Sequence, residues 1–173
     1  MADSTTSAES LPQRLPPPRP DARFMRQRLS RLVALGFGSG LSPWAPGTVG
    51  TLWAWLAFVV LDRWLSPAGW ALLIAAGFAA GIVACGRTAR DLGVSDHGAI
   101  VWDEIVAFWL VLLVAPAGWA AQLGAFVLFR FFDIVKPPPI RYYDRVLKGG
   151  FGVMLDDLLA AFYTLLVLAW WHG

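Results

Sequence analysis

Apolar positions gather in five continuous stretches, residues 48–65, 67–85, 101–115, 118–135 and 153–171. None alternates strictly, and each runs for 15 to 19 residues, which favours helices over strands. At ~1.5 Å per residue, most of them just reach across a hydrocarbon core of ~30 Å. Asp62 and Arg63 interrupt the first stretch near its end. The third is the shortest, which fits a tilted, partly inserted or locally thinned arrangement. Pro116, Ala117 and Gly118 form a tight connection, so the third and fourth stretches are expected to pair as an antiparallel helical hairpin. Ahead of all five, residues 24–35 set Arg26, Arg28 and Arg31 beside Phe24, Leu29, Leu32 and Val33. With Arg23 they make an amphipathic helix suited to lie along a membrane interface. The pattern thus predicts an all-α protein. It is a polytopic membrane helical bundle of about five apolar helices, some short or re-entrant. An N-terminal interfacial helix precedes them.

Composition strengthens that picture. Hydrophobic residues make up 57% of the 173 and charged residues 15%. A soluble domain is nearer a quarter charged, and a chain this small has too little interior to hide so much apolar surface from water. Residues 1–22 are polar and Pro-rich and lack the apolar core of a signal peptide. They are expected to form a disordered, dispensable tail, leaving residues 23–173 as one membrane-embedded domain. Cys85 is the only cysteine and lies in an apolar stretch, so it reads as a small buried hydrophobe.

The formal charge of +2 does not indicate a nucleic-acid partner, because the basic residues flank apolar stretches. Arg14, Arg19, Arg23, Arg26, Arg28 and Arg31 precede the first. Arg87 and Arg90 separate the second and third. Lys136, Arg141, Arg145 and Lys148 separate the fourth and fifth. Five crossings from a cytoplasmic N-terminus place all of these inside, as the positive-inside rule requires. A re-entrant first stretch would change that parity.

The same threading brings the acids to the inner side. Asp96 and His97 lie just before the third stretch, Asp103 and Glu104 open it, Asp133 closes the fourth, and Asp156 and Asp157 open the fifth. Carboxylates at membrane depth need a partner or a task. Hard divalent cations such as Mg²⁺ take oxygen ligands from a few carboxylates, water and phosphate. Adjacent acids on a helix diverge by ~100°, so each pair is expected to divide its work. Acids at helix starts also suit the macrodipole, and that plainer reading stands beside the metal site. Arg130 precedes Asp133 by one turn, as an intrahelical ion pair or as a group facing phosphate. Lys136 and Arg141 follow, as topology signals or phosphate clamps. His97 is a structural loop histidine or a proton carrier near pH 7.

Residues 36–51 hold a loop rich in Gly, Pro, Ser and Thr that includes Ser39 and Thr48. Backbone amides of such a loop can cradle a phosphate. It lacks the Gly-Lys-Ser/Thr of a nucleotide-binding loop.

Taken with these motifs, the chain resembles the phosphatidylglycerophosphatase A family of bacterial inner-membrane lipid phosphatases. The resemblance rests on the loop at 36–51, the run from Asp96 and His97 to Asp103 and Glu104, and Phe129-Arg130 with Asp133. It continues through Lys136 to Arg141, Asp144-Arg145, the glycines at 149, 150 and 152, and Asp156-Asp157. It implies Mg²⁺-dependent hydrolysis of phosphatidylglycerophosphate to phosphatidylglycerol and phosphate, at the cytoplasmic face of the inner membrane. The implied ligands are Asp103, Glu104, Asp133 and Asp157, with Asp156 or Asp96 assisting. Ser39, Thr48, Arg130, Lys136 and Arg141 are the implied phosphate contacts. His97 or Asp96 would protonate the leaving oxygen. Two alternatives compete with this reading. A lipid-phosphate transferase is disfavoured because the CDP-alcohol phosphatidyltransferase signature is absent. A cation transporter would need acids near mid-membrane, whereas these sit at helix ends.

Overall fold

The computed structural model describes residues 19–172, and the described residues form helices and connecting turns with no strand. Two short helices, α1 (Ala22–Arg26) and α2 (Leu29–Ala34), lead into a 3-10 turn at Gly36–Leu41. Then come α3 (Pro46–Leu61), α4 (Pro67–Asp91), α5 (Trp102–Val114) and α6 (Trp119–Val135). The short α7 (Ile140–Val146) and the long α8 (Gly150–His172) complete the chain. Of the tail expected over residues 1–22, residues 1–18 lie outside the described part. Asp21 accepts a bond from the Phe24 backbone N–H at 2.7 Å and so caps α1.

The expected single interfacial helix over 24–35 is two helices instead. Arg28 takes an extended conformation between them. Arg31 is buried. It donates to Asp91 at 2.9 Å and to Gln27 at 2.6 Å. Its guanidinium lies over the Phe24 ring. This latch joins α2 to the end of α4. Local periodicity could not foresee it, because Asp91 is sixty residues away.

Proline at the first position starts both α3 and α4, where its missing N–H is no loss. Ser66 caps α4 by accepting from the Gly69 N–H at 3.2 Å. Both α4 and α8 are long and apolar enough to cross a membrane, and α3 is a shorter apolar helix. The second and fifth apolar stretches underestimate their helices, which extend through polar residues to Asp91 and back to Gly150.

The short α5 is the hub. It packs against α3, α4, α6 and α8. Ile105, Val106, Ala107, Phe108, Trp109, Val111 and Leu112 are all buried. A helix apolar on every side is what such a position requires. Its brevity therefore reflects enclosure by longer neighbours. Trp109 donates to the Ala54 carbonyl on α3 and Trp102 to the Gly77 carbonyl on α4, each at 2.9 Å, which ties the hub to both. Outward-facing Leu56, Val59, Leu72, Val83, Val127 and Leu166 leave an apolar belt exposed.

Helix α3 runs unbroken, with Gly47 beside Glu104 at its start. At its end Asp62 accepts from the Trp70 indole at 3.0 Å, near the start of α4. Helix α4 then returns. Its Gly86 meets Gly150 at the start of α8, where a Cβ on Gly150 would strike the Ile82 carbonyl. Only bare backbone lets these two helices approach so closely. The starts of α3, α5 and α8 and the ends of α4 and α6 therefore share one end of the bundle.

Candidate metal and phosphate site

That shared end collects the acids. The Val101 N–H donates to the Ala34 carbonyl at 2.9 Å, which fixes the start of α5 against α2. Asp103 and Glu104 occupy the first turn of α5. Arg130 and Asp133 lie in the last turns of α6. Asp156 and Asp157 do not open their helix: α8 begins at Gly150, and its first turn holds no acid. Because dipole stabilisation fades within one turn, these two buried acids are not explained by a helix start.

One carboxylate oxygen each from Glu104, Asp133 and Asp157 lie within 4.8 Å of one another. Arg130 joins this triad, donating to Glu104 Oε1 at 3.0 Å and pairing with Asp133 Oδ2 at 2.5 Å. Glu104 Oε2 and Asp157 Oδ2 are buried and have no hydrogen-bond partner. Three converging carboxylates with orphaned oxygens suit a hard divalent cation, with water and phosphate completing its shell. Buried anions left unmatched are otherwise costly.

The glycine-rich loop carries two of the expected phosphate contacts, Ser39 and Thr48. Ser39 donates to the Gly36 carbonyl at 2.8 Å and closes the 3-10 turn. Among the described residues Thr48 makes no side-chain hydrogen bond. Thr51, fully buried, donates to the Gly47 carbonyl at 2.9 Å and accepts from Arg130 at 3.4 Å. A Cβ at Gly47 would collide with Glu104 Oε1 and sit 2.9 Å from Arg130 Nη2. A Cβ at Gly50 would lie 3.2 Å from Glu104 Oε2. The glycines thus let α3 press bare backbone against the acid and the guanidinium. Thr51 and Gly47 were missed as individual site residues; their spacing of four, one helical turn, was the available signal. Gly47→Ala is expected to displace Glu104 and lower metal affinity while the chain still folds. Isothermal titration with Mn²⁺ on the purified variant checks this, and wild-type affinity would refute it.

The remaining members of the acidic pairs face elsewhere. Asp103 lies outside the triad, although it was expected among the ligands. It is buried, its Oδ1 has no partner, and its strongest charged neighbours are Glu104, Asp96 and Asp156. Asp156 pairs with Lys136, which also donates to Asp144 at 3.1 Å. Burial opposes the charge on Lys136, but Asp156 and Asp144 together hold its ammonium above the ordinary range. Asp96 sits on the solvent side of this group. Loss of water on its protein-facing side raises its carboxyl, against the lowering effect of Lys136. His97 accepts from the Ala99 N–H at 3.1 Å through Nδ1, a local loop bond. Arg141 is exposed and donates to the Val135 carbonyl at 3.2 Å, away from the carboxylates.

Residues 32–172 match the family described as Phosphatidylglycerophosphatase A. The chain belongs to the phosphatidylglycerophosphatase A family. The matched span contains every acid, arginine and lysine of this site and leaves out α1. Phosphatidylglycerophosphatase A of Haemophilus influenzae is 49% identical over 138 residues, covering 79% of this chain and 85% of its own. The protein of the same name from Escherichia coli is 45% identical over 130 residues, 75% of each chain. A Bacteroides thetaiotaomicron protein, provisionally named a phosphatidylinositol-3-phosphatase, is 41% identical over 147 residues, 80% of this chain and 90% of its own. No solved structure matches. In this chain the enclosed hub helix supplies Glu104 to the carboxylate triad, and the glycine-rich start of α3 packs against that acid and Arg130.

Proposed function

We propose that this chain removes the terminal phosphate of phosphatidylglycerophosphate, leaving phosphatidylglycerol, at the cytoplasmic rim of the bacterial inner membrane. The carrying observation is the triad of Glu104, Asp133 and Asp157 with Arg130 against it, at one end of an apolar bundle. The family membership and the names of the two bacterial relatives support the substrate. The flanking arginines and lysines support a cytoplasmic orientation.

Glu104, Asp133 and Asp157 would hold Mg²⁺. When bound, this cation would polarise a phosphate oxygen and lower the pKa of a coordinated water. The protein's own groups do the rest. Arg130 is a planar donor whose Nε is buried without a partner, and it neutralises phosphate charge and fixes its orientation. Thr51 and the bare backbone at Gly47 keep that guanidinium from swinging away. Lys136 supplies a second positive charge at the neighbouring turn. Water attacks phosphorus in line, the bond to the glycerol oxygen breaks, and Asp96 or His97 on the adjoining loop returns a proton to that oxygen. No aspartyl-phosphatase or cysteine-phosphatase motif is present in the sequence, so a direct attack by water is the favoured route.

The test is phosphate release from phosphatidylglycerophosphate by the purified chain in detergent, with and without Mg²⁺. Release that depends on Mg²⁺ is expected. Its absence with well-dispersed lipid would remove the proposal, and faster release from phosphatidylinositol 3-phosphate would reassign the headgroup.

A further inference from the structure

We propose that Arg31 is a positioning residue for the metal site: through α2 it sets where Glu104 stands, and so how tightly the triad holds a divalent cation. The inference rests on the reading of Glu104, Asp133 and Asp157 as cation ligands. The route runs from the guanidinium along α2 to the Ala34 carbonyl, and from there through the Val101 N–H to the first turn of α5.

The start of α5 has no cap of its own. Its N-cap residue is Val101, and no side chain caps the first turn. A helix start in this state depends on its neighbours for placement. Here the neighbour is α2. The Val101 N–H donates to the Ala34 carbonyl at 2.9 Å, and Ala34, Leu35 and Val101 are fully buried. The Val101 side chain is held from two further sides. A Cβ on Gly36 would lie 2.7 Å from Val101 Cγ2, and one on Gly50 would lie 2.8 Å from Val101 Cβ. Glu104 follows Val101 by about one helical turn. A displaced Val101 therefore carries the Glu104 carboxylate with it.

Helix α2 has six residues, too few to persist without tertiary support. That support comes from α4. Arg31 donates from Nε to Asp91 at 2.9 Å, and from Nη1 to Gln27 at 2.6 Å and to the Phe24 carbonyl at 3.4 Å. Thr88, buried on α4, donates to the Ser30 carbonyl at 3.3 Å. Asp91 is the last residue of α4, where a carboxylate opposes the helix dipole, and the pairing with Arg31 offsets that cost. Arg28 also reaches Asp91, at 3.5 Å, but its side chain is 61% exposed, so water screens it. The buried Arg31 guanidinium is thus the point where α1, α2 and α4 are joined, less than one turn before Ala34. An ammonium lacks the planar fork that spans these partners.

The experiment measures Mn²⁺ affinity of the purified full chain in nanodiscs by isothermal titration. Arg31→Met is expected to weaken binding by about 10-fold, the scale seen when the support of a metal ligand is lost. At saturating Mn²⁺ its kcat is expected to stay near that of the wild type, because Arg31 touches neither the triad nor Arg130. Amide hydrogen exchange at Val101 is expected to quicken. Ser66→Ala is the control: it removes the cap of α4 at the other end of the bundle and is expected to lower the melting midpoint while Mn²⁺ affinity holds. Wild-type affinity in Arg31→Met, or an equal loss in Ser66→Ala, overturns the positioning role. Weaker binding with unchanged exchange at Val101 overturns the route through α2. If Arg31→Met does not fold, Arg31→Lys, which keeps the charge and loses the fork, carries the same comparison. Failure of the wild type to bind Mn²⁺ removes the triad reading itself. Normal wild-type binding and phosphate release, with Arg31→Met unaffected, removes this inference alone.

Discussion

Asp157→Asn is expected to lower phosphate release by ~10²-fold or more while the metal-free protein becomes no less stable. The two effects have one origin. Asp157 is 3% exposed, has no ion pair among the described residues, and leaves Oδ2 without a partner. Its charge is desolvated and uncompensated, so an isosteric amide relieves a cost in the metal-free state. The same charge is one of three oxygens that converge for the cation, so its loss removes a ligand. A group retained against stability is the mark of function. The measurement is kcat and KM on micellar phosphatidylglycerophosphate, with thermal unfolding of the metal-free protein in parallel. A near-normal rate would make Asp157 structural. A large loss of stability with the activity would show that the fold, and not the site, needs it.

Arg130→Lys is expected to cost about 10²-fold in kcat/KM although the charge is kept. The guanidinium meets Glu104, Asp133 and Thr51 at once. An ammonium offers no planar fork to span those partners and a phosphate together. Arg130→Met goes further, because it leaves Glu104 and Asp133 buried without their partner, with side chains 13% and 11% exposed. Breaking such a pair costs ~3–5 kcal/mol. Added Mg²⁺ should recover much of the lost midpoint in Arg130→Met, because a divalent ion replaces the missing charge. Steady-state kinetics on the lysine variant and melting curves with and without Mg²⁺ on the methionine variant test both halves. Wild-type rates in Arg130→Lys would reduce Arg130 to an ion-pair partner with no role toward phosphate.

The helical class and the approximate positions of the five apolar helices were legible in the sequence, because long apolar stretches without alternation admit little else. Helix ends were less legible. Gly150 starts α8 three residues before its apolar stretch, and this moves Asp156 and Asp157 out of the first turn. The break at Arg28 was hidden because the apolar positions of residues 24–35 read as one helix, and the Arg31–Asp91 pair that ties α2 to α4 joins residues sixty positions apart. Among the site residues, the acids were conspicuous as charges beside apolar stretches. Thr51 was not, because a threonine inside a glycine-rich helix start carries no charge that marks it as unusual. Its role depends on Arg130, seventy-nine positions away.

The order of residues by itself determined that this is an apolar helical protein with its acids beside the ends of its apolar stretches, because burial and charge leave a direct trace in composition and spacing. Only the tertiary structure decided how those acids divide. Glu104 and Asp157 turn toward Asp133, beside Arg130, while Asp156 pairs with Lys136 and Asp103 stays outside the triad. Neighbours on a helix must diverge, but what each one meets depends on how distant helices pack around α5.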